Sequence, residues 1–202
     1  DFKVSDIEID VINNSTNFYL RFDGKKEKFF INGASRHSPL NAALSVATAI
    51  YCGCPLSNIK ERLKFIDLPE RRLAISNSLR GSILIDDSYN SNPASLKNAV
   101  DSLEGLKRKK ICILGDMKEL GSDSQKIHQE MYEYISERVD DIFCIGDEWS
   151  SCSPNEKQDL FIFENQNDLY SHLISIIDKK SILLVKGSRS TRMDLLADKL
   201  KE

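Results

Sequence analysis

From Ile83 onward the chain repeats one pattern: a short, continuous apolar run followed by a helical one. The runs are ILID, KICILG, DIFCIG, a shorter LFIFE and ILLVKG, and helical patterns start at Pro93, near Ser124, near Asn167 and at Ser190. A strand that is apolar on every residue has both faces covered, and strands alternating with amphipathic helices build a parallel, doubly wound sheet. The fold class expected is α/β, a Rossmann-like, mostly parallel sheet. In such a sheet ligands bind beyond the carboxyl ends of the strands.

The first third of the chain has a different period. Ile7, Ile9 and Val11 alternate with polar residues, as do Phe18, Leu20 and Phe22, and Phe29 and Ile31 follow a turn at Asp23-Gly24. That is the pattern of antiparallel strands and a hairpin. A helix should begin at HSPLNAALSVATAIYCG, with Ser38 as cap, Pro39 in the first turn, and Leu40, Leu44, Ala47 and Tyr51 as its apolar stripe. A second short helix is expected from about Ser57 to Phe65. The boundary falls at Pro69, giving a unit of residues 1–69 and a unit of 70–202, the latter opening with the hairpin ERRLAISNSLRGSILID. With 202 residues the chain can bury roughly 70% of its unfolded surface.

Composition excludes several classes of function. Lysine and arginine number 28 against 31 acidic residues, a net charge of −3 that gives no footprint for nucleic acid. No apolar stretch reaches the roughly 20 residues of a membrane span, so a cytoplasmic protein is expected. Cys112 and Cys144 lie inside apolar runs, as small buried hydrophobes do. Cys52 and Cys54 are too close for a Cys-x-x-Cys pair, and His37, His128 and His172 are scattered, so no protein-built metal site is expected.

The strand ends carry the chemistry. After ILI come Asp86 and Asp87, then Tyr89, Asn90 and Asn92; alternation sends one acid toward a covered face and one toward the crevice, where it could accept a hydroxyl pair such as a ribose. The plainer reading is that Asp87 or Asn92 caps the helix at Pro93. Lys186, Gly187, Ser188 and Arg189 follow the most apolar strand; backbone N–H groups with two cations there would suit a phosphate or carboxylate. GDMKELG offers Asp116 and Glu119 around a glycine-flanked turn, or simply a strand-to-helix loop. His128 reads as packing rather than as a base, and Arg71-Arg72 alone reads as a solvated pair. The 202 residues contain no G-x-x-x-x-G-K-[ST], no G-x-G-x-x-G after a strand and no G-x-S-x-G.

Taken together, R-H-S-P-L-N-A-A-L (36–44), P-E-R-R-L (69–73), I-D-D-S-Y-N-S-N-P-A-S-L (85–96), L-G-D-M-K-E-L-G (114–121) with His128, and L-V-K-G-S-R-S (184–190) stand in the order and spacing of the Mur ligases. The chain resembles that family over nearly its whole length, most of all the branch that joins D-alanyl-D-alanine to UDP-N-acetylmuramoyl-tripeptide in peptidoglycan precursor synthesis. The resemblance implies three domains: one for the UDP-sugar, a central ATPase and a C-terminal Rossmann-like domain. Residues 1–69 would be the end of the second and 70–202 the whole of the third. The P-loop, magnesium ligands and UDP pocket would precede Asp1, and the isolated chain would be inactive.

The chemistry implied is ATP-dependent phosphorylation of the peptide carboxylate, then attack of the dipeptide amine on the acyl phosphate, with ATP and Mg2+ required. By position, Asn41 resembles the adenine-binding asparagine, Arg72 the arginine that reaches ATP phosphates, and Asp87 the ribose-binding aspartate. Tyr89, Asn90, Asn92, Asp116, Glu119, Lys186 and Ser188 fall on the acceptor side of the cleft. The family usually has asparagine where Ser38 stands and glycine where Arg71 stands. The partners implied are these small molecules, with no nucleic acid and no membrane span, and a monomer is expected. Two other readings are a folylpolyglutamate-synthase-like ligase and a non-catalytic nucleotide- or peptide-binding module; a swap of substrates separates the first, and against the second residues 1–31 read as a few strands of a larger sheet with an exposed edge.

Overall fold

The structure, a computed structural model, describes residues 1–10, 13–34, 38–66, 70–156 and 158–202. The chain divides into two compact units, residues 1–69 and 70–202. The expected boundary at Pro69 itself lies outside the described residues.

In the first unit, β1 (Lys3–Asp10), β2 (Ser15–Phe22) and β3 (Lys25–Asn32) form an antiparallel meander. Asp23 and Gly24 join β2 to β3 with φ of +47° and +73°, the backbone of a turn whose twist matches the strands it connects. Alternation then sends Phe18, Leu20, Phe22, Phe29 and Ile31 to one face, where Phe18 and Phe29 stack at 5.6 Å. Helices α1 (Ser38–Tyr51) and α2 (Leu56–Leu63) cover that face with Ala42, Ala43, Val46, Ile59 and Leu63.

Two elements of this unit depart from the sequence expectation. The helix is where the pattern placed it, but Leu40, Leu44 and Tyr51 point outward, Tyr51 being 92% exposed. Two apolar stripes compete on α1, and the one built from Pro39, Ala42, Ala43 and Val46 is buried, because small side chains let the helix approach the large aromatics of β2 and β3. In β1, Ile7 is exposed; a bulge between Ser5 and Glu8, with Asp6 at φ +51°, breaks the alternation there. Val11 lies outside the described residues.

The second unit is the doubly wound sheet. Its strands are β4 (Ala74–Ser78), β5 (Ser82–Asp87), β6 (Lys109–Gly115), β7 (Asp141–Ile145), β8 (Leu160–Phe163) and β9 (Ser181–Lys186), in the order β4-β5-β9-β6-β7-β8. β4 pairs antiparallel with β5 as the expected hairpin; all other pairings are parallel. The helices are α3 (Pro93–Asp101), α4 (Ser124–Ser136), α5 (Asp147–Ser150), α6 (Gln166–Ile176) and α7 (Met193–Leu200). The chain winds outward from β6 to β8 and returns through α6, so that β9 is inserted between β5 and β6.

One face of the sheet, with Leu84, Ile111, Ile113, Phe143, Leu183 and Val185, packs on α6 and α7. The alternate residues Ile85, Cys112, Leu114, Ile142, Cys144 and Leu184 are equally buried, and α3 and α4 lie against β9 and β7. Cys112 and Cys144 are free thiols in this interior, where burial pushes the Cys112 thiol up to about 12. The last helix starts later than the sequence pattern indicates. Arg189–Thr191 form a 3-10 turn, Arg192 is left-handed at φ +52°, and α7 begins only at Met193. The hydroxyl of Thr191 turns back to donate to the Ser188 carbonyl at 2.6 Å, which closes the turn before a helix can propagate. Among the described residues no helix is long and apolar enough to cross a membrane.

Candidate functional site

Register fixes which chemistry meets at the carboxyl edge. Asp87 of β5 and Leu114 of β6 both lie opposite Lys186 of β9, so the segments 88–92, 116–120 and 187–192 leave three neighbouring strands side by side. Lys186 is 2% exposed, and its Nζ donates to Asp87 Oδ2 at 2.5 Å and to the Asn90 carbonyl at 2.9 Å. Asp87 Oδ1 accepts the Leu73 N–H at 3.1 Å. Burial pushes the Asp87 carboxyl above the usual range; Lys186 and the Leu73 N–H oppose that shift without cancelling it. Asp86 points to the α7 face, where it accepts the Ser88 N–H and hydroxyl and pairs with Lys201 Nζ at 3.1 Å. Both acids of the strand end are therefore engaged, on opposite faces, as alternation requires.

Ser188 links the loops. Its N–H donates to the Asp116 carbonyl at 3.0 Å, its hydroxyl oxygen accepts the Lys118 N–H at 2.8 Å, and the hydroxyl donates to the Ser91 carbonyl at 3.4 Å. Asp116 is buried; its carboxylate accepts from Lys118 Nζ at 2.8 Å, which raises the Lys118 ammonium above its ordinary value, and from the Trp149 N–H at 3.4 Å. Two close approaches make this possible. A Cβ on Gly146, whose φ is +129°, would stand 2.2 Å from the Asp116 carboxylate, and a Cβ on Gly115 would meet the Thr191 hydroxyl at 2.5 Å. Lys118 lies within GDMKELG and Gly146 opens the strand end GDE (146–148), whereas Trp149 and Thr191 carry no motif signal and are brought in only by the tertiary fold.

His128 is fully buried, with an edge-on contact to Trp149 at 4.8 Å. Its Nε2 accepts the Met117 N–H at 3.0 Å, which leaves Nδ1 to donate to the Ser124 carbonyl at 2.8 Å. The ring thus fixes the 116–118 loop from below, the packing role the sequence favoured. Asn92 is the N-cap of α3 in a capping box: its side chain accepts the Ser95 N–H at 2.8 Å and the Ser95 hydroxyl accepts the Asn92 N–H at 3.1 Å. That is the plainer of its two expected roles. Glu119 is exposed and left-handed at φ +66°.

Three of the donors expected to cradle an anion at 186–189 are taken up within the loops. Lys186 is neutralised by Asp87, the Ser188 N–H is taken by Asp116, and the Arg189 N–H donates to Asn90 Oδ1 at 3.4 Å. These donors are consumed in holding the loops together, because a buried N–H or ammonium must find a partner. Cationic reach outward comes instead from Lys118 and Arg189, whose side chains are 45% and 60% exposed.

At the start of the second unit Arg71 adopts φ +61°, the conformation a glycine would take without strain. Its guanidinium compensates by bridging Asp194 at 2.6 Å and Asp198 at 3.0 Å on α7. The Arg71 carbonyl accepts the Tyr89 N–H at 3.1 Å, and the guanidinium of Arg72 lies 4.4 Å from the centre of the Tyr89 ring. Asn41 is exposed on the first turn of α1, in the other unit.

These loops form one bonded group of acids, cations and hydroxyls around the insertion of β9, suited to hold polar ligands. Residues 71–189 match the Mur ligase, glutamate ligase domain family. A UDP-N-acetylmuramoyl-tripeptide–D-alanyl-D-alanine ligase of Haemophilus influenzae is 33% identical over 82% of the chain and 37% of its own length. The enzyme of the same name from Buchnera aphidicola (Acyrthosiphon pisum) is 36% identical over 80% of the chain and 36% of its length. A solved Acinetobacter baumannii structure, a UDP-N-acetylmuramoylalanyl-D-glutamyl-2,6-diaminopimelate–D-alanyl-D-alanyl ligase, superposes with a TM-score of 0.84 at 29% identity, covering 98% of the chain and 44% of that protein. The chain thus spans about two-fifths of the length of these relatives. With the family match spanning residues 71–189, from β4 through β9 and the loops at the carboxyl edge, the chain belongs to the Mur ligase family.

Proposed function

We propose that this chain contributes the C-terminal, acceptor-side part of an ATP-dependent ligase that joins D-alanyl-D-alanine to UDP-N-acetylmuramoyl-tripeptide through an acyl phosphate. The observation that carries the reading is the bonded loop group at the carboxyl edge of β5, β9 and β6, inside the segment matched to the family. The relatives' names supply the substrates. Residues 1–69 are read as the end of the ATP-binding domain and 70–202 as the C-terminal domain, acting in the cytoplasm as part of a monomer.

In this reading Asn41 meets adenine, Arg72 the phosphates and Asp87 the ribose. A carboxylate offers about four lone-pair sites. Asp87 uses them for Lys186 and Leu73, and the sites left over suit a hydroxyl pair. Asn90, Asn92, Asp116, Glu119, Lys186 and Ser188 form the acceptor side, with a division of labour. Lys186, bonded to Asp87 and Asn90, and Ser188, bonded to Asp116, hold the loops together and Asn92 caps α3, while Asn90 and Glu119 are exposed near the cations Arg189 and Lys118. A carboxylate-bearing dipeptide needs such cations, and rigid loops hold its amine in line with the acyl carbon. Among the described residues no group of three or more His, Cys, Asp or Glu is placed to hold a metal ion.

The test is ATP turnover by the ligase-length polypeptide that carries these residues. Phosphate release is expected only when muramoyl tripeptide and D-alanyl-D-alanine are both present. Release that ignores the dipeptide refutes the reading.

A further inference from the structure

The contact between Arg72 and Tyr89 has no structural necessity. Tyr89 is 47% exposed, so its ring is not needed to fill the core, and Arg72 is exposed with no carboxylate partner among the described residues. Left alone, an exposed arginine samples many rotamers and carries about 2 kcal/mol of side-chain entropy. Here the backbone is arranged to prevent that. The Tyr89 N–H bonds the Arg71 carbonyl, Arg71 is tied to α7 by two ion pairs, and Leu73 is held by Asp87. Residues 71 and 73 are thus fixed on either side of Arg72, and the aromatic face lies 4.4 Å from its guanidinium.

We infer that Tyr89 is a positioning residue for Arg72: its ring holds the guanidinium in a ready orientation for the phosphates of a bound nucleotide, so Tyr89 serves the nucleotide rather than the acceptor. The inference rests on the function proposed above for the phosphate-reaching arginine. A face-on ring leaves the N–H edge of the guanidinium free, which is the edge that grips phosphate oxygens in pairs. The ring attracts the cation through its negative face while staying a poor competitor for that edge. A carboxylate in the same place would compete.

Two measurements test this. In the 202-residue chain, the ring current of Tyr89 should displace the Arg72 Nε–H resonance; Tyr89→Phe should keep the displacement and Tyr89→Leu abolish it. In the ligase-length polypeptide, Tyr89→Leu should raise the KM for ATP about two- to fivefold, the size of an exposed cation–π contact, with the KM for the dipeptide unchanged and Tyr89→Phe restoring the wild-type value. An Arg72 resonance that is the same in Tyr89→Leu as in wild type overturns the inference, as does a rise in the dipeptide KM in place of the ATP KM. Turnover without dipeptide dependence would instead sink the proposed function, while leaving the resonance result standing on its own.

Discussion

Replacing Lys186 by methionine should destabilise the second unit strongly at neutral pH and much less in acid. Methionine keeps the length and apolar stem of the side chain, so the change removes a charge more than it opens a cavity. What it leaves behind is the Asp87 carboxylate, 13% exposed at the side chain, with only the Leu73 N–H to answer it. Removing one partner of a buried ion pair costs about 3–5 kcal/mol. The Asn90 carbonyl loses its donor as well. The sole tryptophan, Trp149, is fully buried in this unit, so its fluorescence in a urea titration reports residues 70–202 alone. With an m-value of about 2 kcal/mol/M, the midpoint should fall by about 1.5–2.5 M at pH 7.

The pH dependence follows from the direction of the Asp87 shift. Burial raises its folded-state pKa above the unfolded value of 3.8, so the native state binds the proton more tightly than the unfolded one. Stability linked to this group is therefore fully present below 3.8 and is lost as pH rises through the folded-state value. Removing Lys186 removes the strongest influence holding that value down, so the variant loses more on the alkaline side. The gap between variant and wild type should shrink as pH falls through the Asp87 titration, and Asp87→Asn combined with Lys186→Met should recover much of the loss at pH 7. Coincident midpoints at pH 7, or a deficit that is undiminished in acid, would refute the reasoning.

Two further outcomes can be read with the same fluorescence assay. Asn92→Ala removes the cap of α3 and should cost about 1 kcal/mol, whereas Asn92→Asp, which can still accept the Ser95 N–H, should be near neutral; an alanine variant as stable as wild type would mean the box contributes nothing. Gly146→Ala places a methyl 2.2 Å from the Asp116 carboxylate at a backbone angle alanine resists, so it should destabilise by more than the 1–3 kcal/mol typical of backbone strain alone; a smaller loss would show that Asp116 can move aside.

The parallel sheet was legible because its runs are short, apolar on both faces and separated by helices, a pattern that no antiparallel or all-helical arrangement satisfies. The helix at residues 38–51 was legible too, but not its orientation. Periodicity is a property of one chain segment, and α1 carries two apolar stripes; only packing against Phe18 and Phe29 selects the one with small residues. The late start of α7 was hidden for a related reason, since Thr191 and Met193 pack against Gly115 at the end of β6, a neighbour remote in sequence. The motifs brought these residues to one edge of the sheet and could not apportion their contacts: Asn92 proves to be a cap, Lys186 is consumed by Asp87, and Tyr89 faces Arg72.

The sequence by itself determined the class of fold, the edge at which polar groups collect and the family to which those groups point, because these depend on local period and on residues adjacent in the chain. The tertiary structure decided what each group is free to do. Asp87 and Lys186 are 99 residues apart, and nothing in either motif shows that register will set them opposite each other and make each the other's obligatory partner once water is excluded.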